Sequence, residues 1–147
     1  MKLPLSPELI VGIVLLVVVA APVIITVFIK IPKKLKTDAF MKEWKQIQGY
    51  CKDKAEWPKA ISEADTLLDR AMKRRKLKGK SMGERMVTAQ RLFTNNDTTW
   101  FAHNLAKKLV AEPKTRLRET DVKNALVGFR QALRDIGALD DGQSKDA

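Results

Sequence analysis

One histidine and two lysines lie close together in the segment Asp97 to Pro113, "DTTWFAHNLAKKLVAEP". His103 and Lys107 are four residues apart, so they share a face if the segment is helical. An imidazole and an ammonium group at one site could in principle cleave RNA, by moving a proton and holding a phosphate. A lone histidine beside Trp100 is more typical of a buried, hydrogen-bonded residue. The sequence therefore favours a structural role for His103.

The densest basic run of the chain is "KRRKLKGK", from Lys73 to Lys80. Its cations are Lys73, Arg74, Arg75, Lys76, Lys78 and Lys80. The run could bind a nucleic-acid backbone or anionic lipid headgroups, with Lys107 and Lys108 as further candidates. It could equally be a solvated helix end, where cations interact favourably with the helix dipole. The sequence alone leaves both interpretations open.

Composition limits the kinds of site that the chain can build. It has 147 residues, with 28 Lys and Arg against 17 Asp and Glu, a net charge of +11. That length allows one modest domain with appendages. A single cysteine, Cys51, and a single histidine exclude an internal disulfide, a thiolate metal cluster and a multi-histidine metal site. We therefore predict no metal and no cofactor.

An uncharged apolar run extends from Leu9 to Ile29. Its length as a helix is about 30 Å, the thickness of a bilayer's hydrocarbon core. Lysines lie mainly on its C-terminal side, and the membrane-flanking set is Lys30, Lys33, Lys34 and Lys36. Because lysine resists translocation, this pattern predicts a single-pass cell-membrane protein with residues 1–8 outside, a transmembrane helix at 9–29 and a cytoplasmic C-terminal domain. The lipid bilayer is then a predicted partner.

Beyond Lys30 the sequence shows helical periodicity and no strand alternation. It predicts a basic juxtamembrane linker and helix at 30–54, a helical bundle at 55–139 and a flexible tail at 140–147. The helix-boundary signals are Thr37 and Asp97 as caps, Pro58 in a first turn, Ser81 with Glu84 as a capping box, and Gly79 and Gly137 as stops. The predicted fold class is all-α: one N-terminal transmembrane helix followed by a cytoplasmic antiparallel four- to five-helix bundle.

Apolar stripes indicate which faces of these helices are buried. The predicted inward residues include Phe40, Trp44, Ile47 and Cys51; Trp57, Ile61, Ala64, Leu68, Ala71 and Met72; Met82, Met86, Ala89 and Phe93; Trp100, Leu105 and Leu109; and Val122, Ala125, Leu126, Phe129 and Leu133. Trp44 has a second interpretation, in which its indole lies at the level of lipid headgroups.

Four segments resemble a known family of helical bundles. They are "WPKAISEADTLLDRAMK", "GKSMGERM", "WFAHNLAKKLVAE" and "ETDVKNALVGFRQALRDIGAL", between Trp57 and Leu139. In this order they resemble the HEPN-type bundles (higher eukaryote and prokaryote nucleotide-binding), especially membrane-anchored bacterial versions of the candidate-phyla type. The resemblance implies a bundle that commonly dimerises. It also implies that an acidic residue near Asp65 reaches His103 across the bundle; the alternative is a surface carboxylate that pairs with a neighbouring cation.

In HEPN members with ribonuclease activity, the corresponding segment reads Ala-His-x-Leu-Arg-Asn-x-x-x-His-Glu. Their Arg and second His act on the phosphodiester, and the Asn orients them. Here the catalytic positions hold Ala106, Lys107 and Ala111. An alanine side chain can neither transfer a proton nor place a charge beside a phosphate. The resemblance therefore implies a bundle whose ribonuclease motif is degenerate.

Three functions are compatible with the sequence. The favoured one is a non-catalytic binding or scaffold module for RNA, another protein or an anionic lipid surface, with a possible homodimer formed by the bundle. The second is a residual ribonuclease that uses His103 and Lys107. The third is a purely structural envelope protein.

Overall fold

The computed structural model describes residues 6–30 and 35–140, with side chains given for all of these except 22–30. Three predicted features lie wholly or partly outside that range: the N-terminus at residues 1–5, the linker lysines Lys33 and Lys34, and the tail from residue 141 onward. The side chain of Lys30 is outside it as well. The chain divides into two compact units, Met1–Pro32 and Lys33–Ala147.

The first unit contains one helix, α1, Pro7–Lys30. Across the residues that the structure describes, no helix has both the length and the apolar character needed to cross a membrane. The prediction of a transmembrane helix at 9–29 is therefore wrong. The predicted single-pass cell-membrane localisation with a cytoplasmic domain depended on that helix, so this prediction is wrong as well.

The second unit is an all-helical bundle, as the periodicity predicted. Its helices are α2 Thr37–Tyr50, α3 Trp57–Arg74, α4 Met82–Ala89, α5 Asn96–Ala111 and α6 Glu119–Asp135, with a 3₁₀ turn at Lys54–Glu56 before α3. α3 packs against each of the other four helices, and α5 also packs against α6. The central position of α3 explains its large apolar face, which buries Ile61, Leu67, Leu68 and Met72 almost completely.

Several helix ends follow their local signals. Pro58 lies in the first turn of α3, where its missing N–H costs nothing. The hydroxyl of Ser81 accepts a hydrogen bond from the Glu84 N–H at 3.2 Å, which caps α4. Gly137 adopts φ +75° beyond α6, and the Ala138 N–H returns to the Leu133 carbonyl at 2.8 Å. This six-to-one bond and the left-handed glycine form a Schellman motif.

Other helix ends differ from prediction. α3 ends at Arg74 instead of continuing to Gly79, because Lys76 takes the left-handed conformation at φ +57° and the Leu77 N–H bonds to the Met72 carbonyl at 3.1 Å. α2 begins at Thr37 without a side-chain cap, and its cap residue is Lys36. α5 starts one residue before Asp97, and its cap is Asn95, whose side chain accepts from the Thr98 N–H at 3.0 Å.

The buried face of α5 also differs from prediction. Ala102, His103 and Ala106 face the core, while Trp100 and Leu105 are only partly buried. Trp44, by contrast, belongs to the core of the second unit at 4% exposure. Small residues lie inside α5 because its backbone approaches α6 closely. A Cβ atom built at Gly128 of α6 would lie 2.7 Å from the carbonyl oxygen of Thr98.

Candidate functional site

The structure brings His103 of α5 and Asp65 of α3 together. Nδ1 of His103 lies 2.8 Å from Oδ1 of Asp65, and His103 is only 6% exposed. Since a carboxylate oxygen can only accept, Nδ1 carries the proton and donates it. The ring of Trp100 lies edge-on to the imidazole, with centroids 6.1 Å apart. Asp65 thus pairs with the histidine across the bundle, and no lysine or arginine among the described residues forms a salt bridge with it.

A shallow groove of about 260 Å³ lies beside this pair, between α3 and α5. Its lining residues are Ser62, Asp65, Ala106, Lys107, Val110 and Ala111. Ala106, Lys107 and Ala111, the positions that the HEPN resemblance aligns with Arg, Asn and His, therefore all line one groove. Two of them present only methyl groups, and Ala106 is 4% exposed and packs in the core. The polar groups that line the groove are the exposed ammonium of Lys107, the Ser62 hydroxyl and the Asp65 carboxylate, and this carboxylate already accepts a hydrogen bond from His103.

His103 and Lys107 do not form a catalytic pair in this arrangement. Although they are one helical turn apart, His103 is buried against Asp65 and Trp100 whereas Lys107 is exposed. His103 is also not among the residues that line the groove. A phosphodiester bound at Lys107 would therefore not reach the imidazole without unpacking α5. The geometry assigns His103 to holding α3 and α5 together.

The basic run Lys73–Lys80, called here the basic loop, covers the end of α3 and most of its connection to α4. Its backbone is held by side chains of α4 through three hydrogen bonds. These are Arg85 Nη1 to the Gly79 carbonyl oxygen at 2.7 Å, Thr88 Oγ1 to the Lys78 carbonyl oxygen at 2.8 Å, and the Lys80 N–H to Glu84 Oε2 at 2.8 Å. These contacts fix the path of the loop relative to α4.

The lysine side chains of the basic loop are exposed, while Arg75 is partly buried. Among the described side chains, Lys76, Lys78 and Lys80 form no salt bridge. Lys73 is paired with Asp69 at 2.7 Å, and the Arg74 guanidinium lies 5.8 Å from the centre of the Phe40 ring. The loop therefore presents three unpaired ammonium groups on a fixed backbone.

Arg85 is the residue that organises this region, and sequence reasoning missed it. Its guanidinium is almost fully buried and contacts Asp69 of α3 through Nε at 2.8 Å and Nη2 at 2.6 Å. Burial by itself would raise the pKa of Asp69, but hydrogen bonds from Lys73 and Arg85 and their positive charges outweigh it and lower that pKa below its ordinary value. A signal was present in the sequence. Arg85 falls on the apolar stripe of α4 between Met82 and Ala89, where a cation needs a buried partner.

Gly79 belongs to the same cluster. It has φ +153°, and a Cβ atom there would lie 2.6 Å from the backbone nitrogen of Arg85. Glycine is therefore required here for the close approach of the loop to α4. It does not act as the helix stop that the sequence predicted.

The remaining cationic candidates lie outside the basic loop. Lys107 and Lys108 are exposed on α5, and Lys36 is exposed at the start of α2. Within residues 6–30 and 35–140, no three His, Cys, Asp or Glu side chains are grouped as a metal site would require.

Comparison of the chain with protein-family models, with curated proteins and with solved structures finds no match. The HEPN resemblance thus stays a prediction that depends on the four segments between Trp57 and Leu139.

Proposed function

We propose that this protein is a non-catalytic RNA-binding module built on a HEPN-like helical bundle, and that the basic loop is its RNA contact. The observation that carries the proposal is the set of three exposed ammonium groups of Lys76, Lys78 and Lys80, which form no salt bridge among the described residues and lie on a backbone held by α4. Exposed ammonium groups on an ordered backbone can pair with RNA phosphates, and this binding would release condensed counterions.

The hydrogen bonds from Arg85, Thr88 and Glu84 matter because they order the loop before a ligand arrives. An unrestrained loop would lose conformational entropy of about 1–2 kcal/mol per residue on binding. Here part of that loss has already occurred during folding, so more of the electrostatic attraction remains as affinity. The loop contains no aromatic side chain, so contacts to phosphates, and not base stacking, would dominate the affinity.

The groove beside Asp65 supports binding without cleavage. Ala106 and Ala111 supply no proton and no charge, and His103 is buried away from Lys107. A residual ribonuclease would need His103 to leave Asp65 and reach solvent. No contact among the described residues favours that rearrangement.

The test uses the full chain and a fluorescein-labelled single-stranded RNA of about 20 nucleotides, followed by fluorescence anisotropy at several salt concentrations. We expect affinity to fall steeply with salt, and the triple variant Lys76→Gln, Lys78→Gln, Lys80→Gln to reduce the slope of log K against log[salt] by about 2, at ~0.7 per phosphate contact. The matched control is Lys42→Gln, Lys45→Gln, Lys114→Gln, which removes the same charge from exposed positions.

An equal loss in the control would show that net charge alone drives association, and would overturn the assignment to the basic loop. Binding to vesicles of anionic phospholipid with no binding to RNA would overturn the choice of RNA. The same samples are run on a denaturing gel. RNA cleavage that disappears in His103→Ala would overturn the non-catalytic interpretation in favour of a ribonuclease.

A further inference from the structure

A second, larger groove of about 400 Å³ lies between α2, the start of α3 and α6. Its apolar lining includes Trp44, Ile47, Trp57, Val122 and Leu126. That size and composition are typical of small-molecule sites, which combine apolar walls with a few polar groups. The groove shares no residue with the basic loop or with the groove at Ala106, so this inference is independent of RNA binding.

Two indole groups line the groove, and their N–H groups differ. The Trp57 Nε1–H donates to the carbonyl oxygen of Cys51 at 3.1 Å. Trp44 is 4% exposed, and its Nε1–H is buried without any acceptor among the described residues. Buried donors without a partner are rare and costly in native proteins. Trp44 therefore has an unused hydrogen-bonding capacity that an oxygen of a bound molecule would fill.

The polar groups at the groove give it a net positive charge. Lys123 and Arg130 line it from α6, both exposed and neither in a salt bridge among the described side chains. Glu119 is the one carboxylate among the lining residues. Burial raises the pKa of the Cys51 thiol, so this side chain remains neutral and adds no negative charge to the groove. Two cations against one carboxylate favour an anionic ligand.

We propose that this groove binds a monocarboxylate with an apolar body. The carboxylate is held by Lys123 and Arg130 and also accepts a hydrogen bond from the Trp44 N–H, and the apolar body covers the side chains of Ile47 and Trp57. Charge-assisted hydrogen bonds from an ammonium and a guanidinium supply the specificity for the acid over a neutral analogue. Apolar contact supplies the remaining affinity.

The experiment titrates the full chain with decanoate below its micelle concentration and follows tryptophan emission. A Trp100→Phe background removes the one tryptophan of the chain that does not line the groove, so the signal comes from Trp44 and Trp57. We expect a saturable change in emission with decanoate and a weaker one with decanol, which lacks the charge. Phenylpropanoate, titrated in parallel, distinguishes a preference for acyl chains from one for aromatic acids.

The charge variant is Lys123→Gln, Arg130→Gln, and its matched control is Lys114→Gln, Arg116→Gln, which removes one lysine and one arginine at exposed positions outside the groove. We expect the first variant to weaken decanoate binding about tenfold or more, for the loss of two charge-assisted contacts, and the control to leave it unchanged. No saturable change in the parent, or equal weakening in both variants, would overturn the proposal. So would sedimentation showing that the chain is a dimer and that the change in emission follows dissociation of this dimer and not ligand binding.

Discussion

Gly128 of α6 lies directly against Thr98 of α5. A Cβ atom at Gly128 would lie 2.7 Å from the Thr98 carbonyl oxygen and 2.9 Å from its Cγ2. The two backbones can approach this closely only because no side chain separates them. Ala102, one helical turn beyond Thr98 on α5, is also small and is fully buried.

Replacing Gly128 with alanine should destabilise the bundle. Alanine gains about 1 kcal/mol over glycine in helix propensity, but the new methyl group would overlap backbone atoms of Thr98 that cannot move without separating α5 from α6. We expect a net loss of about 1–2 kcal/mol in the free energy of unfolding, measured by urea denaturation followed by circular dichroism. Gly49→Ala is the matched control, because nothing lies within 4 Å of its Cβ position in α2. It should stabilise by up to ~1 kcal/mol; a stabilising Gly128→Ala would contradict the close crossing.

The contrast between local and tertiary signals explains which parts of the fold the sequence predicted. Pro58, the Ser81–Glu84 box and Gly137 act within one helical turn, and each lies at the helix end that it predicted. The inward face of α5 depends on a contact with Gly128, about thirty residues away in sequence. The apolar spacing within α5 alone therefore predicted its larger apolar residues as the buried ones. The apolar run at 9–29 did predict a helix, α1, but among the described residues no helix has the length and apolar character that a membrane span requires.

Lys76 offers a second test, because it occupies a backbone conformation that glycine prefers. Both α3 and α6 end in a Schellman motif, with Lys76 at φ +57° in one and Gly137 at φ +75° in the other. A left-handed conformation costs a residue with a Cβ roughly 1 kcal/mol. We expect Lys76→Gly to stabilise the protein by about 0.5–1 kcal/mol and to raise its melting temperature by a few degrees.

The reciprocal variant checks the cause of that effect. Gly137→Ala introduces a Cβ atom at a position with nothing within 4 Å, so any change must come from the backbone conformation. It should destabilise by about 1 kcal/mol. If Lys76→Gly stabilised while Gly137→Ala had no effect, removal of a positive charge from the crowded basic loop would be the better explanation.

For the candidate site, as for the fold, the sequence predicted the local features and missed those that depend on packing between helices. The exposed cations of the basic loop could be read from composition, since six of them fall within eight residues of sequence. Their support could not, because Arg85 bridges Asp69 of α3 to the carbonyl of Gly79, and this geometry depends on how α4 packs against α3. The contacts that hold the basic loop thus depend on tertiary packing, whereas the cations that would contact RNA are adjacent in sequence.

Asp69 should make the stability of the protein depend on acid pH. Its pKa is lowered in the folded state, so its contribution is complete above the unfolded value of about 3.9 and is lost as pH falls through the lower folded value. Asp69→Asn should destabilise by about 2–3 kcal/mol near neutral pH, because it leaves the buried Arg85 guanidinium without a charged partner. The difference from the parent should shrink below about pH 4, in urea titrations at successive pH values.

Glu63→Gln is the control for this pH dependence, since Glu63 is exposed on the same helix and forms no salt bridge among the described residues. It should change stability by less than ~0.5 kcal/mol. A difference between the parent and Asp69→Asn that stayed constant from pH 7 to pH 3 would mean that the carboxylate's charge does not stabilise Arg85.

The pair Asp65 and His103 should behave as a structural bond between α3 and α5. In a double-mutant cycle of Asp65→Ala and His103→Ala, we expect a coupling of about 1 kcal/mol in the free energy of unfolding, because the 2.8 Å hydrogen bond is largely removed from water. The comparison cycle joins Asp65→Ala to Thr94→Ala, whose hydroxyl donates to Asp135 at 2.8 Å and shares no partner with Asp65. Those two changes should add within ~0.5 kcal/mol. The affinity for RNA, measured on the folded His103→Ala variant, should match that of the parent; a loss of affinity without a loss of stability would place the imidazole at the ligand, contrary to its burial.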